Sequence, residues 1–258
     1  MNADFLSVTE LAGDQVSREQ VDRLCHRYYW AGSYCNGKDV LEVACGTGQG
    51  LGYLARRARS LVAGDYTQAI LDIARRHYVN RIDLRHMDAQ ALSFSEGSWD
   101  VIILFEAIYY LPSPEKFYSE CRRVLRPGGR LLIATANKDL FDFNPSPYSH
   151  HYPGVVELGE ALGRRGFRCE FFGDTPVARV SWRQKVLRPV KKFVVASGLM
   201  PKSMAAKKLL KKLVFGGLVP MPAEITEGMA PQQAPTPLAP GQMDKHHKVI
   251  FCAATLAA

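Results

Sequence analysis

Short apolar runs alternate with segments whose apolar residues recur three and four positions apart along the first half of the chain. A continuous apolar run of about four to eight residues is typical of a buried strand, and the second pattern is typical of an amphipathic helix. Their alternation, with short connections, predicts a parallel sheet. The predicted helices lie near residues 17–34, 48–58, 67–78 and 114–125, and the predicted strands near 40–44, 61–65, 100–106 and 130–134.

A long interval separates the last two predicted strands. Residues 155–165 have helical spacing, residues 167–172 alternate as a strand, and residues 248–254 form a final apolar strand. About 70 residues lie between these two strands, and a loop of this length usually has structure and a function of its own. Six prolines between residues 220 and 240 predict an extended segment that wraps the core as a strap.

The net charge is concentrated in this interval. Ten Lys or Arg residues and no acid lie within 181–215, which leaves 23 basic and 25 acidic residues elsewhere, a balance of −2 against +8 for the whole chain. Between residues 206 and 214, apolar side chains fall on one side of a helix and lysines on the other. This pattern fits a helix whose apolar face packs on the rest of the domain and whose lysine face is exposed to solvent. Three alternatives follow in falling order: a peripheral membrane contact through residues 183–214, a site for a phosphate-bearing substrate, and a nucleic-acid contact.

Length and composition agree with one α/β domain. A chain of 258 residues with 47% hydrophobic content can bury a full sheet with helices on both faces. The first residues have neither a basic segment nor an apolar core, and no 18 apolar residues run together, so we expect a cytoplasmic protein without a signal peptide or membrane span. The six cysteines show no paired ligand spacing, which predicts reduced core residues and neither a metal site nor disulfides.

The junction at residues 42–50 is the most informative segment. A buried strand meets a glycine turn there, with Glu42 at the junction and small residues at Ala44, Gly46 and Gly48, which let a ligand approach the backbone closely. A nicotinamide dinucleotide site would need glycines at the first, third and sixth places, and neither Ala44 nor Gly46 starts such a series. A carboxylate would also repel a pyrophosphate, and it suits a cationic ligand instead.

Residues 42–50 resemble motif I of the class I S-adenosylmethionine-dependent methyltransferases, and further motifs of that family follow in order as far as about residue 135. The resemblance implies that Asp65, at the end of the second strand, holds both ribose hydroxyls, as a carboxylate can. It implies a third strand that ends near residue 87, before the strand at 100–106, and it implies that Asp88, in the turn after that third strand, accepts from the adenine amino group. The residues expected to contact S-adenosylmethionine are Tyr28, Glu42, Ala44, Cys45, Gly46, Gly48, Asp65, Tyr66, Asp88, Ala89 and Phe105.

The family resemblance implies a Rossmann-like, doubly wound α/β sheet of about seven strands, whose last strand is antiparallel. In this chain the core would comprise residues 36–175 and 246–258, with a helical cap at residues 1–35. The basic, Pro-rich insertion would occupy residues 176–245, between the last two strands, and would serve as a lid or as a substrate or membrane contact.

Two local features need separate interpretation. Ala44 stands where the family usually has its first glycine, and because alanine adopts a positive φ only at a cost, we expect a right-handed conformation there. In the cap, Arg27 or Tyr28 would meet the methionine carboxylate of the cofactor. Buried aromatic packing accounts for these two residues equally well.

Candidate proton acceptors lie at the ends of the later strands. A sulfonium methyl group is electrophilic without a metal, so the enzyme must align the acceptor and, for a hydroxyl, remove its proton. Glu106 follows the fourth strand and would contact the methionine portion, act as a base or cap the next helix. His150 and His151 follow the fifth strand and suit proton transfer near neutral pH; histidines without a chemical role are the alternative.

The sequence therefore predicts a methyltransferase for a small-molecule hydroxyl. Residues 144–173 are similar to those of bacterial methyltransferases of polysaccharide or secondary-metabolite pathways, which favours a sugar or a metabolite, free or carried on a nucleotide or lipid phosphate. One rival is an RNA or DNA methyltransferase, whose binding would fall steeply with salt. The other is a cofactor-binding partner protein without transfer activity. The oligomeric state stays open.

Overall fold

A computed structural model describes residues 5–141, 143–177 and 217–257. The predicted helices and parallel strands are confirmed, with ends shifted by a few residues. The helices are α1 (Arg18–Cys35), α2 (Leu51–Ala55), α3 (Gln68–Tyr78), α4 (Pro114–Val124) and α5 (Val155–Gly163), with short 3-10 turns at Phe5–Val8 and Ile108–Tyr110. The strands are β1 (Gln15–Ser17), β2 (Asp39–Val43), β3 (Ser60–Asp65), β4 (Asp83–His86), β5 (Trp99–Phe105), β6 (Leu125–Ala136), β7 (Phe167–Pro176), β8 (Leu218–Pro220), β9 (Thr236–Leu238) and β10 (His247–Leu256).

Eight strands form one sheet in the order β4-β3-β2-β5-β6-β10-β7-β9. Strands β2 to β6 run parallel, whereas β10 is antiparallel to both of its neighbours, β6 and β7. This is the predicted Rossmann-like class with an antiparallel last strand. The eighth strand, β9, comes from the Pro-rich segment and pairs with β7 at the edge of the sheet, where a proline costs few ladder hydrogen bonds.

Helices cover both faces of the sheet because alternate residues of a strand point to opposite sides. Along β5, Ile102 and Leu104 pack into one buried cluster with residues of α4 and α5. Their neighbours Val101 and Ile103 pack into a second cluster with residues of α1 and α2. The carboxyl ends of β2, β3 and β5 are thereby held at one edge, where open α/β sheets bind ligands.

Residues 217–230 pack on α1 and α2. Met221 and Ile225 are buried in the same cluster as residues of these two helices. Strand β8 pairs antiparallel with β1, near the start of the described chain. The Ile225 N–H donates to the carbonyl of Gln49 at 2.8 Å, so this segment also contacts the glycine turn.

The ten basic residues between Arg183 and Lys212, and the membrane and nucleic-acid contacts predicted for residues 183–214, lie outside the described residues. Within the described ranges, no helix combines the length and the apolar character needed to cross a bilayer. The six cysteines are free thiols. Among the described His, Cys, Asp and Glu side chains, no group of three or more is placed to hold a metal ion.

Candidate active site

A cavity of about 590 Å³ lies at the carboxyl edge of the parallel strands. This volume is typical of a small-molecule site. Its wall includes the ends of β2, β3 and β5, one face of α1 and the amino-terminal residues 5–10. Of the residues predicted from the sequence, the structure places Tyr28, Ala44, Cys45, Gly46, Asp65, Tyr66, Asp88, Ala89, Phe105, Glu106 and His150 in the wall, and Glu42, Gly48 and His151 outside it.

The glycine turn uses left-handed backbone conformations at both of its first two small residues. The angle φ is 55° at Ala44 and 60° at Gly46, so the expectation of a right-handed Ala44 is wrong. The Cys45 N–H donates to the Gly64 carbonyl at 2.9 Å, and the Gly46 N–H donates to Asp65 at 3.0 Å. These hydrogen bonds stabilise the turn and offset the conformational free energy of about 1–2 kcal/mol that a left-handed alanine costs.

Asp65 ends β3 with a buried carboxylate in the cavity wall. Its Oδ2 accepts from the Gly46 N–H at 3.0 Å, and its Oδ1 accepts from the Thr67 N–H at 2.8 Å. Burial raises the pKa of Asp65, and these hydrogen bonds offset only part of the effect. Each oxygen keeps a further lone pair, so the carboxylate can accept from both hydroxyls of a diol.

Asp88 lies in the turn after β4, on the same side of the cavity. Its Oδ1 accepts from the Gln90 N–H at 2.8 Å, which fixes an Asx turn, while Oδ2 has no hydrogen bond within the described chain. Ala89 and Tyr66 complete this wall, and the Tyr66 side chain is exposed. Hydrogen-bond acceptors beside an apolar surface suit the binding of an adenosine.

Glu42 is buried beneath the cavity and is connected to it through Tyr28. The Tyr28 Oη donates to Oε1 of Glu42 at 2.5 Å, whereas Oε2 is buried without a partner among the described residues. Burial raises the pKa of Glu42 to about 7, although the Tyr28 hydrogen bond and the nearby Arg27 favour the ionised form. Gly48 also lies outside the wall, and its small size is needed for packing, because a Cβ there would lie 2.9 Å from the Tyr78 ring.

Glu106 follows β5 and brings a carboxylate into the cavity. Its Oε2 accepts from the Tyr109 Oη at 3.1 Å, and its Oε1 lies 4.0 Å from Nη1 of Arg27. The next turn has Ala107 at its start and no side-chain cap, so the structure does not support the capping alternative. The φ of Glu106 is 51°, a strained conformation that clusters at functional sites.

The two predicted histidines lie in different surroundings. His150 lines the cavity, and its N–H donates to the Tyr109 carbonyl at 2.7 Å. The His151 side chain is 60% exposed, and its Nε2 lies 3.4 Å from a carboxylate oxygen of Glu157. The structure therefore brings His150, and not His151, to the cavity that contains Glu106.

Residues 41–133 match the family model described as a methyltransferase domain. A probable S-adenosylmethionine-dependent methyltransferase of Mycolicibacterium smegmatis is 38% identical over 152 residues, which cover 57% of this chain and 56% of the relative. Residues 41–133 therefore form a methyltransferase domain, and the chain is similar to S-adenosylmethionine-dependent methyltransferases over about half of its length. A ubiquinone biosynthesis O-methyltransferase of Pseudomonas paraeruginosa is 31% identical to this chain over 132 residues, covering 50% of this chain and 55% of the relative.

The solved structure of YcgJ from Bacillus subtilis shares the fold of this methyltransferase. It covers 91% of this chain and 99% of its own, with a TM-score of 0.59 and 14% sequence identity. The methyltransferase spans about half the length of the curated relatives that it matches. S-adenosylmethionine is its cofactor.

The residues of the methyltransferase fit this cofactor. Asp65 offers two acceptor oxygens to a ribose diol, and Asp88 keeps Oδ2 for an adenine amino group. At Gly46 a Cβ would meet only Thr9, 4.0 Å away, so the turn leaves space for a ligand against its backbone. The carboxylates of Asp65, Asp88 and Glu106 also give the wall a negative character that suits a sulfonium cation.

Sequence reasoning missed the amino-terminal wall of the methyltransferase cavity. Phe5 lines the cavity and makes an edge-to-face contact with Tyr110, with ring centroids 5.4 Å apart. Glu10 is held by Gln49, whose Nε2 donates to the Glu10 carbonyl at 2.8 Å. No periodicity marks residues 5–10. Arg23, which also lines the cavity, could have been found from its position one helical turn before Arg27.

Replacing Glu42 with glutamine should change how the stability of the ligand-free methyltransferase depends on pH. The folded pKa of about 7 lies above the ordinary value of 4.5, so the contribution of Glu42 to stability is complete below about pH 4.5 and is lost as pH rises through 7. We therefore expect Glu42→Gln to be more stable than wild type at pH 8 by on the order of 3 kcal/mol, and to lose this advantage by pH 5. Urea unfolding across this range would measure the difference. If the stabilities of wild type and Glu42→Gln changed with pH in the same way, Glu42 could not be a buried carboxylate with one unpaired oxygen.

Proposed function

We propose that the methyltransferase transfers the methyl group of S-adenosylmethionine to a hydroxyl group of a small ring compound, a sugar or a secondary metabolite. The observation that supports the proposal is the Glu106 carboxylate, held by Tyr109 in the same cavity as Asp65 and Asp88. A carboxylate beside the cofactor can take a proton from a hydroxyl. The similarity to a protein named as an O-methyltransferase points to the same kind of acceptor atom.

The aromatic part of the cavity wall suits a ring. Phe5, Phe105, Tyr109 and Tyr110 all line it. Phe105 packs edge to face against Tyr28, with centroids 5.4 Å apart, so its ring is held in one orientation. Fixed aromatic surfaces with a few polar groups are typical of sites that bind small molecules, and they bind the apolar faces of rings.

In this proposal each side chain of the cavity has a separate role in the transfer. Bound S-adenosylmethionine supplies a methyl group that is electrophilic without a metal. Glu106 accepts the proton of the acceptor hydroxyl, while Tyr109, which donates to Oε2, and Arg27, 4.0 Å from Oε1, orient the carboxylate. Residues 5–10 and α1 cover the cavity and exclude water from the reacting groups. His150, exposed in the same wall, can carry the proton onward to solvent.

Glu106→Gln should separate binding from chemistry. The purified protein would be incubated with S-adenosylmethionine and pools of glycosides, nucleotide sugars and phenols, and methylated products would be detected by mass spectrometry. Once an acceptor of the wild-type enzyme is identified, we expect Glu106→Gln to lower turnover of that acceptor by about 10²- to 10⁴-fold, the usual contribution of a general base. The affinity for S-adenosylhomocysteine should change little, because glutamine keeps the shape of the side chain.

His150→Gln and His151→Gln form a matched pair for the same assay. Only the first should reduce turnover, because His151 lies outside the cavity wall. Full turnover in Glu106→Gln would exclude Glu106 as the base. Intact binding of S-adenosylhomocysteine without transfer to any acceptor would favour a partner protein without activity. Transfer to RNA or DNA would replace the small-molecule proposal.

A further inference from the structure

Arg23 is a cation in the cavity wall that forms no ion pair within the part of the chain that the structure describes. Its side chain lies on α1, is half-buried and lines the cavity. The Nε atom is buried and has no hydrogen-bond partner among the residues that the structure describes. A partly desolvated guanidinium without an anion is unfavourable, and five N–H donors in a planar fork are suited to a carboxylate or a phosphate.

The neighbours of Arg23 on α1 show which end of the cavity it faces. Glu19, one turn earlier, pairs with Lys248 of β10 at 2.5 Å. His26, nearly one turn later, pairs with Asp174 of β7 at 3.1 Å. This part of α1 therefore lies over the β7 and β10 side of the sheet, and the cavity wall includes Val249 of β10.

The cofactor residue expected on α1 lies further along the helix than Arg23. Tyr28, which packs against Gly50 of the glycine turn, is five residues further along α1, a rise of roughly 7.5 Å. Two acids in the wall, Glu10 and Glu106, form no ion pair with Arg23 within the described chain, and each has another donor. Glu10 accepts from the Gln20 Nε2 at 2.9 Å, and Glu106 accepts from Tyr109. The guanidinium is thus left for a ligand on the acceptor side.

We propose that Arg23 binds an anionic group, a carboxylate or a phosphate ester, of the molecule that is methylated. The proposal rests on the proposed transfer to a small-molecule acceptor and narrows the acceptor to compounds that carry both a hydroxyl and an anion. Glu106 and Arg23 would then bind the two polar ends of one molecule.

Protection of Arg23 from phenylglyoxal tests the assignment without an assay of turnover. The protein would be saturated with S-adenosylhomocysteine, and the modification rate of Arg23 would be followed by mass spectrometry of its peptide. Inorganic phosphate and benzoate would be the probes, with chloride at equal ionic strength as the reference. We expect either probe to slow the reaction about fivefold at four times its dissociation constant. Arg122, exposed on α4, is the control and should react at the same rate throughout.

Each other outcome would overturn the proposal. Equal rates in phosphate, benzoate and chloride would show that Arg23 binds no specific anion. Protection by S-adenosylhomocysteine alone, but not by 5′-methylthioadenosine, would assign Arg23 to the methionine carboxylate. Failure of Arg23 to react in the ligand-free protein would show that solutes cannot reach it. Absence of methyl transfer, by contrast, would count against the proposed function and leave the protection result unchanged.

Arg23→Gln supplies a second measurement. Its affinity for S-adenosylhomocysteine should equal that of wild type. With an anionic acceptor, its KM should rise about tenfold or more while kcat changes little, because the lost contact is made equally in the ground state and the transition state. A fall in kcat at unchanged KM would contradict a binding role for Arg23.

Discussion

Asp65→Ala should weaken the affinity for S-adenosylmethionine by about 1–3 kcal/mol, or roughly 5- to 150-fold, because the ribose hydroxyls lose a charged acceptor. The carboxylate lies in the cavity wall, and its two oxygens are already oriented by the N–H groups of Gly46 and Thr67. Little conformational freedom is then left to lose when the diol binds. Calorimetric titration with S-adenosylmethionine and S-adenosylhomocysteine, with NAD as the control ligand, measures the effect.

The loss of the Gly46 and Thr67 hydrogen bonds could also weaken binding by distorting the turn. Adenosine and 2′,3′-dideoxyadenosine separate the two causes. Wild type should prefer adenosine, and Asp65→Ala should lose that preference, whereas a distorted turn would weaken both ligands equally. Asp72→Ala, which removes an exposed carboxylate on α3, should leave all affinities unchanged. A preference for the diol that persists in Asp65→Ala would exclude the ribose assignment.

The parallel strands and the positions of Asp65, Asp88 and Glu106 could be predicted because each depends on a short local pattern. An apolar run followed by a turn places its last polar residue at the carboxyl edge of a parallel sheet, whatever the rest of the chain does. Ala44 could not be predicted in this way. Its intrinsic preference for a negative φ is outweighed by hydrogen bonds to β3, which no local pattern reveals.

The amino-terminal wall of the cavity depends on contacts between distant parts of the chain. Gln15 of β1 is paired with Pro220 of β8, and Gly13 donates to the carbonyl of Met221 at 2.8 Å. Each segment alone is too short and too irregular to predict a strand. The cavity is therefore built partly by predictable strand ends and partly by pairings that only the folded chain brings together.

Gly50→Ala should destabilise the methyltransferase by about 3 kcal/mol or more, with a fall in Tm of roughly 6–12 °C. A Cβ at this position would lie 2.0 Å from the Tyr28 ring, far inside contact distance. The φ of Gly50 is −91°, so the cost is steric and owes nothing to the backbone conformation. Displacement of Tyr28 would also leave Glu42 buried without its hydroxyl donor. Thermal unfolding without ligand measures the loss.

The contact between Gly50 and Tyr28 can be isolated by a double-mutant cycle. In a Tyr28→Ala background the added methyl group would have space, so Gly50→Ala should then cost less than about 1 kcal/mol. Gly163→Ala is the matched control, because Gly163 ends α5 with no atom within 4 Å of an added Cβ, and alanine is the better helix former. If Gly50→Ala were as harmless as Gly163→Ala, Tyr28 could not be the residue that closes α1 over the glycine turn.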